Sequence, residues 1–291
     1  MLLGKGIRID GALGKRGDAR VHLDDVSEAL HAACERGHAD FVHAVRNCIG
    51  LAQFCRGGPA GGWPRNACGG TLVHSASNNE AASAECVAAA IMAESSSGDN
   101  SKMALPSWTT LDDDAQGGRT ALMIAVSAGD GWENCVAELV RDIKRFGPEK
   151  TRAVLQLKEP RNRCTAIHFA ASSGAVKLLQ IFISECEASV NAKDYASATP
   201  LHYASMVGKT EAVRFLLHHH ADRLARDESG WIPLLYANFH SERDAVLELL
   251  RERVVPQLEM MCASARGDAT EKTVQQVQKV FELLATIPEY Y

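Results

Sequence analysis

The chain has 291 residues, of which 46% are hydrophobic and 23% charged, and its formal net charge is −5. That composition suffices for a sizeable core, and its mild acidity argues against a nucleic-acid-binding surface, which carries a basic excess. No apolar run reaches membrane-spanning length, and Met1-Leu2-Leu3 leads at once into Gly4, Lys5 and Arg8 without the apolar core of a signal peptide.

Residues 1–20 are rich in glycine and charge and predict a loosely ordered arm. At Glu28 a pattern begins, Leu30-His31-Ala32-Ala33 followed by Gly37, His38 and Val42. Gly- and Pro-rich residues 56–66 predict a flexible loop. The pattern returns weakly at Thr71, His74 and Ala76, with Glu80 where Gly37 stood before. Residues 94–113, with Ser95-Ser96-Ser97-Gly98, predict a second loop. Stronger copies follow: TALMIAVSAG from Thr120, TAIHFAASSG from Thr165 and TPLHYASMVG from Thr199. A sixth, IPLLYANFHS from Ile232, has Leu235 in place of His and Ser241 in place of Gly. Residues 253–291 predict helices, with apolar stripes at Leu258 and Met261 and at Val274, Val277, Phe281 and Leu284. They read as a cap on the apolar end of the array. The abrupt ending at Ile287-Pro288-Glu289-Tyr290-Tyr291 reads as that of a piece of a longer protein.

The copies begin 43, 49, 45, 34 and 33 residues apart. Each position has a physical reason. Thr199 caps a helix N-terminus, and Pro200 follows where a missing N–H costs nothing. Leu201 and Ala204 share one apolar helix face. Gly208, like Gly37, Gly129 and Gly174, stands where the first helix must end. Val213, Leu216 and Leu217 then line a second helix, as do Val246, Leu249 and Leu250 one period later.

This pattern resembles the ankyrin repeat, T-P-L-H-x-A-A-x-x-G-H followed by V-x-x-L-L. The resemblance implies an all-α ankyrin-repeat solenoid of helix-turn-helix units joined by short β-hairpin fingers. The array spans 21–252 with about six repeats. The last two spacings match the family period, and the first three imply insertions of roughly ten to sixteen residues. His31, His74, His168 and His202 are implied to bridge neighbouring loops by hydrogen bonds. Asn191, in a Val-Asn-Ala finger, holds a position that asparaginyl hydroxylase can modify in such proteins.

Motifs for chemistry are incomplete. Gly14-Lys15 lacks the glycine and the following Ser or Thr of a phosphate loop. There is no C-x-x-C or H-E-x-x-H, and Cys48 and Cys55 lack a His at zinc spacing. The nine cysteines, an odd number without regular spacing, read as reduced thiols of a cytosolic or nuclear protein. His218-His219-His220 read as solvated residues at a helix end, favourable to its dipole. No enzyme activity, cofactor, metal or membrane insertion is expected.

The resemblance places a partner surface on the finger tips and on the exposed face of each first helix. The residue after the signature His is Ala32, Ser75, Ile124, Phe169, Tyr203 and Tyr236 in turn. One turn on come Ser172, Met206 and Phe239, and the finger tips add Arg161, Asn162, Tyr195, Glu228 and Trp231. Aromatic, Met and Arg side chains favour protein contacts. The expected grip is therefore Ile124, Arg161, Phe169, Tyr195, Tyr203, Met206, Trp231, Tyr236 and Phe239. The expected function is an interaction scaffold for a protein or peptide. The alternative is the substrate-recruiting arm of a larger enzyme such as a ubiquitin ligase.

Overall fold

In the computed structural model the described residues are 23–49, 70–78, 81, 83–95, 118–129, 131–250, 275, 277–280 and 282. Among the described residues thirteen α-helices have defined bounds, and none of these residues is in a β-strand. Contacts divide the chain into two compact units, 1–124 with 137–142, and 125–136 with 143–291.

In the first unit, α1 (Leu23–Glu35) and α2 (Ala39–Ile49) form one helix pair, and α3 (Leu72–Ala76) and α4 (Ala84–Ser95) form the next. α1 packs on α3 and α2 on α4, as stacked repeats require. The weakest signature of the sequence thus still folds as a helix pair. α4 carries through Ser95, so residues 94 and 95 close a helix. Leu30, Val42, Leu72, Val73, Val87 and Ile91 fill this core.

The next elements are α5 (Ala121–Ser127), α6 (Glu133–Lys144) and α7 (Pro148–Leu155). α7 is the inserted length between the copies at Thr120 and Thr165. Gly147 turns the chain at φ 97, Pro148 starts the helix, and Thr151 Oγ1 donates back to the Gly147 carbonyl at 2.9 Å.

The second unit carries the regular copies. First helices are α8 (Ala166–Ser173), α10 (Pro200–Met206) and α12 (Pro233–Phe239). Second helices are α9 (Val176–Gln180), α11 (Thr210–His218) and α13 (Arg243–Leu250). First helices pack side by side, and so do second helices. Leu178, Leu179, Phe182, Leu201, Val213, Leu216 and Leu249 are buried between the rows. At about 2 kcal/mol or more per fully buried large aliphatic side chain, this inter-repeat core is the main stabilising term.

α9 passes into a π-helical turn at Ile181–Glu185. The copy starting at Thr165 is one residue longer than the copy starting at Thr199. The Ala188 N–H bonds the Phe182 carbonyl, whereas its counterpart Ala221 bonds Leu216 at one residue shorter reach. The π turn absorbs the extra residue and keeps Phe182 in the core.

The expected hairpin fingers are hydrogen-bonded turns without strand ladders. Asp194 N–H donates to the Ala198 carbonyl at 3.1 Å, and Asp227 N–H to the Trp231 carbonyl at 3.0 Å. A single closing bond per finger is too short a ladder for a strand. The arm at 1–20, the loop at 56–66 and the loop from 96 to 113 lie outside the described residues. So does most of 253–291, where 275, 277–280 and 282 are helical with Val277 and Val280 buried.

Candidate functional site: the finger row and first-helix face

The signature histidines order the fingers. Thr165 and Thr199 stand before α8 and α10 in extended conformation. The Thr165 N–H donates to His168 Nδ1 at 3.2 Å, and Thr165 Oγ1 lies 2.9 Å from the same atom. A backbone N–H can only donate, so Nδ1 is the bare nitrogen and Nε2 carries the proton. That Nε2–H donates to the Ala198 carbonyl of the next finger at 3.3 Å. His202 repeats the arrangement with Thr199 and with the Trp231 carbonyl at 3.2 Å. Burial lowers the His168 pKa to about 4 and also lowers that of His202, which keeps both imidazoles neutral near pH 7. In the first unit His74 Nδ1 accepts from the Thr71 N–H, and His31 Nδ1 bonds Ser75 Oγ at 2.9 Å.

A second set of bonds closes each finger. Asp194 Oδ1 accepts the Ala198 N–H at 2.7 Å, while Oδ2 accepts the Tyr203 hydroxyl at 2.8 Å. Asp227 Oδ1 accepts the Trp231 N–H at 2.8 Å, and Oδ2 accepts the Tyr236 hydroxyl at 2.5 Å. The tyrosines therefore buckle their own fingers. Their rings also meet the preceding signature histidines edge to face, at 5.4 Å for His168–Tyr203 and 5.8 Å for His202–Tyr236. Burial, with the bonds to the carboxylates, raises both phenol pKa values well above the usual range. Cys164 Sγ lies 3.1 Å from the Tyr203 hydroxyl. The sequence signal of the buckle is an Asp five residues before the cap position paired with a Tyr four after it, outside the repeat pattern itself.

The finger before α8 departs from this scheme. Its closing bond runs from Glu159 N–H to the Cys164 carbonyl, one residue longer, and Arg163 takes φ 57. The aromatic there is Phe169, which has no hydroxyl to offer. Adjacent fingers are clipped by backbone bonds, Tyr195 N–H to the Asn162 carbonyl at 2.7 Å and Glu228 N–H to the Ala196 carbonyl at 2.9 Å.

The expected grip residues divide accordingly. Tyr195 is 67% exposed and Phe239 56% exposed. Trp231 is half-buried, with ring centroids 5.2 Å from Tyr236 and 5.7 Å from Phe239. Phe169, Met206, Tyr203 and Tyr236 are half-buried, and Arg161 is exposed. Ile124 corrects the expectation of an exposed position: it is 3% exposed. α5 is apolar all round from Ala121 to Val126 and is buried throughout, as such a helix must be. Ser75, at the same repeat position, is also buried. Asn191 spends its side chain between repeats, with Oδ1 accepting the Asp222 N–H at 2.9 Å. Among the described residues no three His, Cys, Asp or Glu side chains are placed to hold a metal, and no helix is long and apolar enough to cross a membrane. Among the described residues, Cys34, Cys86, Cys135, Cys164 and Cys186 are buried thiols.

The capped first helices, the left-handed helix stops and the His-bridged fingers define a helical repeat array. The family model for ankyrin repeats (three copies) matches residues 91–194 and 167–258, and the chain belongs to the ankyrin-repeat family. Ankyrin repeat domain-containing protein 13C of Homo sapiens is 33% identical over 86 residues, 30% of this chain and 16% of that protein. The protein of the same name from Xenopus tropicalis matches with the same figures. A transient receptor potential cation channel subfamily A member 1 homolog of Caenorhabditis elegans is 36% identical over 80 residues, 28% of this chain and 7% of that protein. The matched segment thus spans less than a fifth of the length of these relatives. Ankyrin repeats generally mediate protein–protein interaction, and the family is typically non-enzymatic.

Proposed function

We propose that the second unit captures a protein or peptide partner across its finger tips and the exposed face of its first helices. The observation that carries this reading is the exposure of Tyr195 on one finger and of Phe239 beside Trp231, which itself packs on Tyr236. Large apolar rings in water on a rigid frame lose that exposure only when something docks. Met206 and Phe169 extend the same face, and Arg161 adds a donor at the first finger. Tyr203 and Tyr236 contribute ring faces, while their hydroxyls are held by Asp194 and Asp227.

The test is affinity capture from native extract with the wild-type chain and with Tyr195→Ala/Trp231→Ala/Phe239→Ala. Proteins that co-purify with the wild type are expected to be lost from the variant while its helical signal stays intact. Undiminished capture by the folded variant overturns the reading.

A further inference from the structure

The fingers share a charge pattern that the aromatic row does not include. Lys158, Lys193 and Arg226 each stand immediately before the carboxylate residue of a finger, Glu159, Asp194 and Asp227. They form one basic position in three successive repeats. Lys158 reaches the neighbouring finger, where its Nζ donates to the Lys193 carbonyl at 2.7 Å and retains two further protons to give. Lys193 and Arg226 are exposed, as are Arg161 and Arg163 on the first finger.

The carboxylates beside them are held in the finger frame. Asp194 and Asp227 hold the tyrosine hydroxyls and finger N–H groups, and Glu159 is buried. Of the finger carboxylates only Glu228 is exposed. Among the described residues no ion pair involves Lys158, Arg161, Arg163, Lys193 or Arg226. The ion pairs of this unit lie on the helices and their ends, such as Lys144–Glu185 at 2.6 Å and Arg214–Glu248 at 2.6 Å. The fingers 158–164, 192–198 and 225–231 thus carry five cations against four carboxylates, and two of those carboxylates, Glu159 and Asp227, are buried, so the outer charge of the fingers is mainly positive on a chain of net charge −5.

The first two rungs also line a cleft of about 250 Å³, whose apolar wall includes Leu155, Ile167, Ala188 and Ala192. Such a cleft fits an aliphatic side chain flanked by carboxylates.

Resting on the partner-binding reading above, we infer that the partner segment is an acidic extended peptide whose carboxylates lie along Lys158, Lys193 and Arg226, with apolar residues between them. Charge complementarity selects this occupant. Five cations spread over three fingers of an acidic chain fall short of the dense basic field that nucleic acid requires.

The test is selection of a random peptide library on the full chain, followed by fluorescence anisotropy of the selected peptides. Selected peptides are expected to be enriched in Asp and Glu around an aliphatic residue. Raising salt from about 50 to about 300 mM is expected to weaken them severalfold. Lys158→Glu/Lys193→Glu/Arg226→Glu is expected to weaken binding at least about tenfold. Lys193→Glu/Arg226→Glu, confined to exposed side chains, separates lost binding from lost folding and is expected to weaken it in the same direction. Selected peptides that depend on Tyr195, Trp231 and Phe239 but carry no acidic enrichment overturn this inference and leave the partner-binding reading standing. Failure to select any peptide overturns both. A 20-nucleotide oligothymidylate that binds more tightly than the acidic peptides overturns the inference in favour of nucleic acid.

Discussion

Ser197 and Gly230 occupy the same finger position, two residues before the helix cap, and both have positive φ, 61 and 75. Ser241 stands where Gly208 does one repeat earlier, again with positive φ, 63 against 69. A side chain in the left-handed region costs about 1 kcal/mol or more, partly offset by the extra unfolded-state freedom of glycine. Ser197→Gly and Ser241→Gly are each expected to stabilise by about 0.5–1 kcal/mol, read by urea unfolding. Gly208→Ala acts oppositely, since its methyl would overlap the Glu242 carboxylate as well as strain the backbone. Ser205 sits where the family pattern has its second Ala, and its buried hydroxyl finds no hydrogen-bond partner among the described residues. Ser205→Ala is expected to stabilise by about 1 kcal/mol in the same measurement. These positions were open to sequence reading because glycine and alanine at fixed offsets report backbone and packing directly. Ile124 departs from the exposure its repeat offset implies because of its neighbours: a helix reading ALMIAVS has no polar face to turn to water.

At the scale of elements, His168 and His202 each join a helix N-terminus to the next finger. The unfolded imidazole titrates near 6.5, and folded His168 only near 4. Its neutral form contributes stability that is fully present above pH 6.5 and is lost as pH falls through the folded value. For His168 the loss approaches about 3 kcal/mol, at up to about 1.4 kcal/mol per pH unit. His202 is shifted in the same direction. Stability measured by urea unfolding is expected to be flat above about pH 7 and to fall between pH 6.5 and 4, with a shallower fall in His168→Gln. The tyrosine buckles give a separate expectation. Tyr203→Phe and Tyr236→Phe keep the rings but free the Asp194 and Asp227 carboxylates, so amide exchange should quicken at Ala198 and Trp231, whose N–H groups those carboxylates accept. Unchanged exchange there would contradict the buckle. The helix pairs were legible from capping residues and apolar spacing, whereas the π turn was visible only as a one-residue excess between copies. α7 lies in an insertion with no second copy to align with, and only Gly147-Pro148 marks its start in the sequence.

For the whole molecule, the regular copies of the second unit put the frame and the proposed contact surface largely on different residues, with Tyr203 and Tyr236 belonging to both. Threonine, histidine, aspartate and glycine hold the fingers, and the side chains they leave outside are Tyr195, Trp231, Phe239 and the finger cations. This division explains why the fold was recoverable from the sequence while the surface was only partly so. Frame residues recur and can be aligned, whereas the residues proposed for contact differ from copy to copy and are distinguished by their exposure. Hydrogen–deuterium exchange of the full chain with and without a selected peptide tests the location of the surface most directly. Protection is expected in the fingers at 158–164, 192–198 and 225–231 and along α10 and α12. Protection confined to the second helices α9, α11 and α13, with the fingers unchanged, would contradict it.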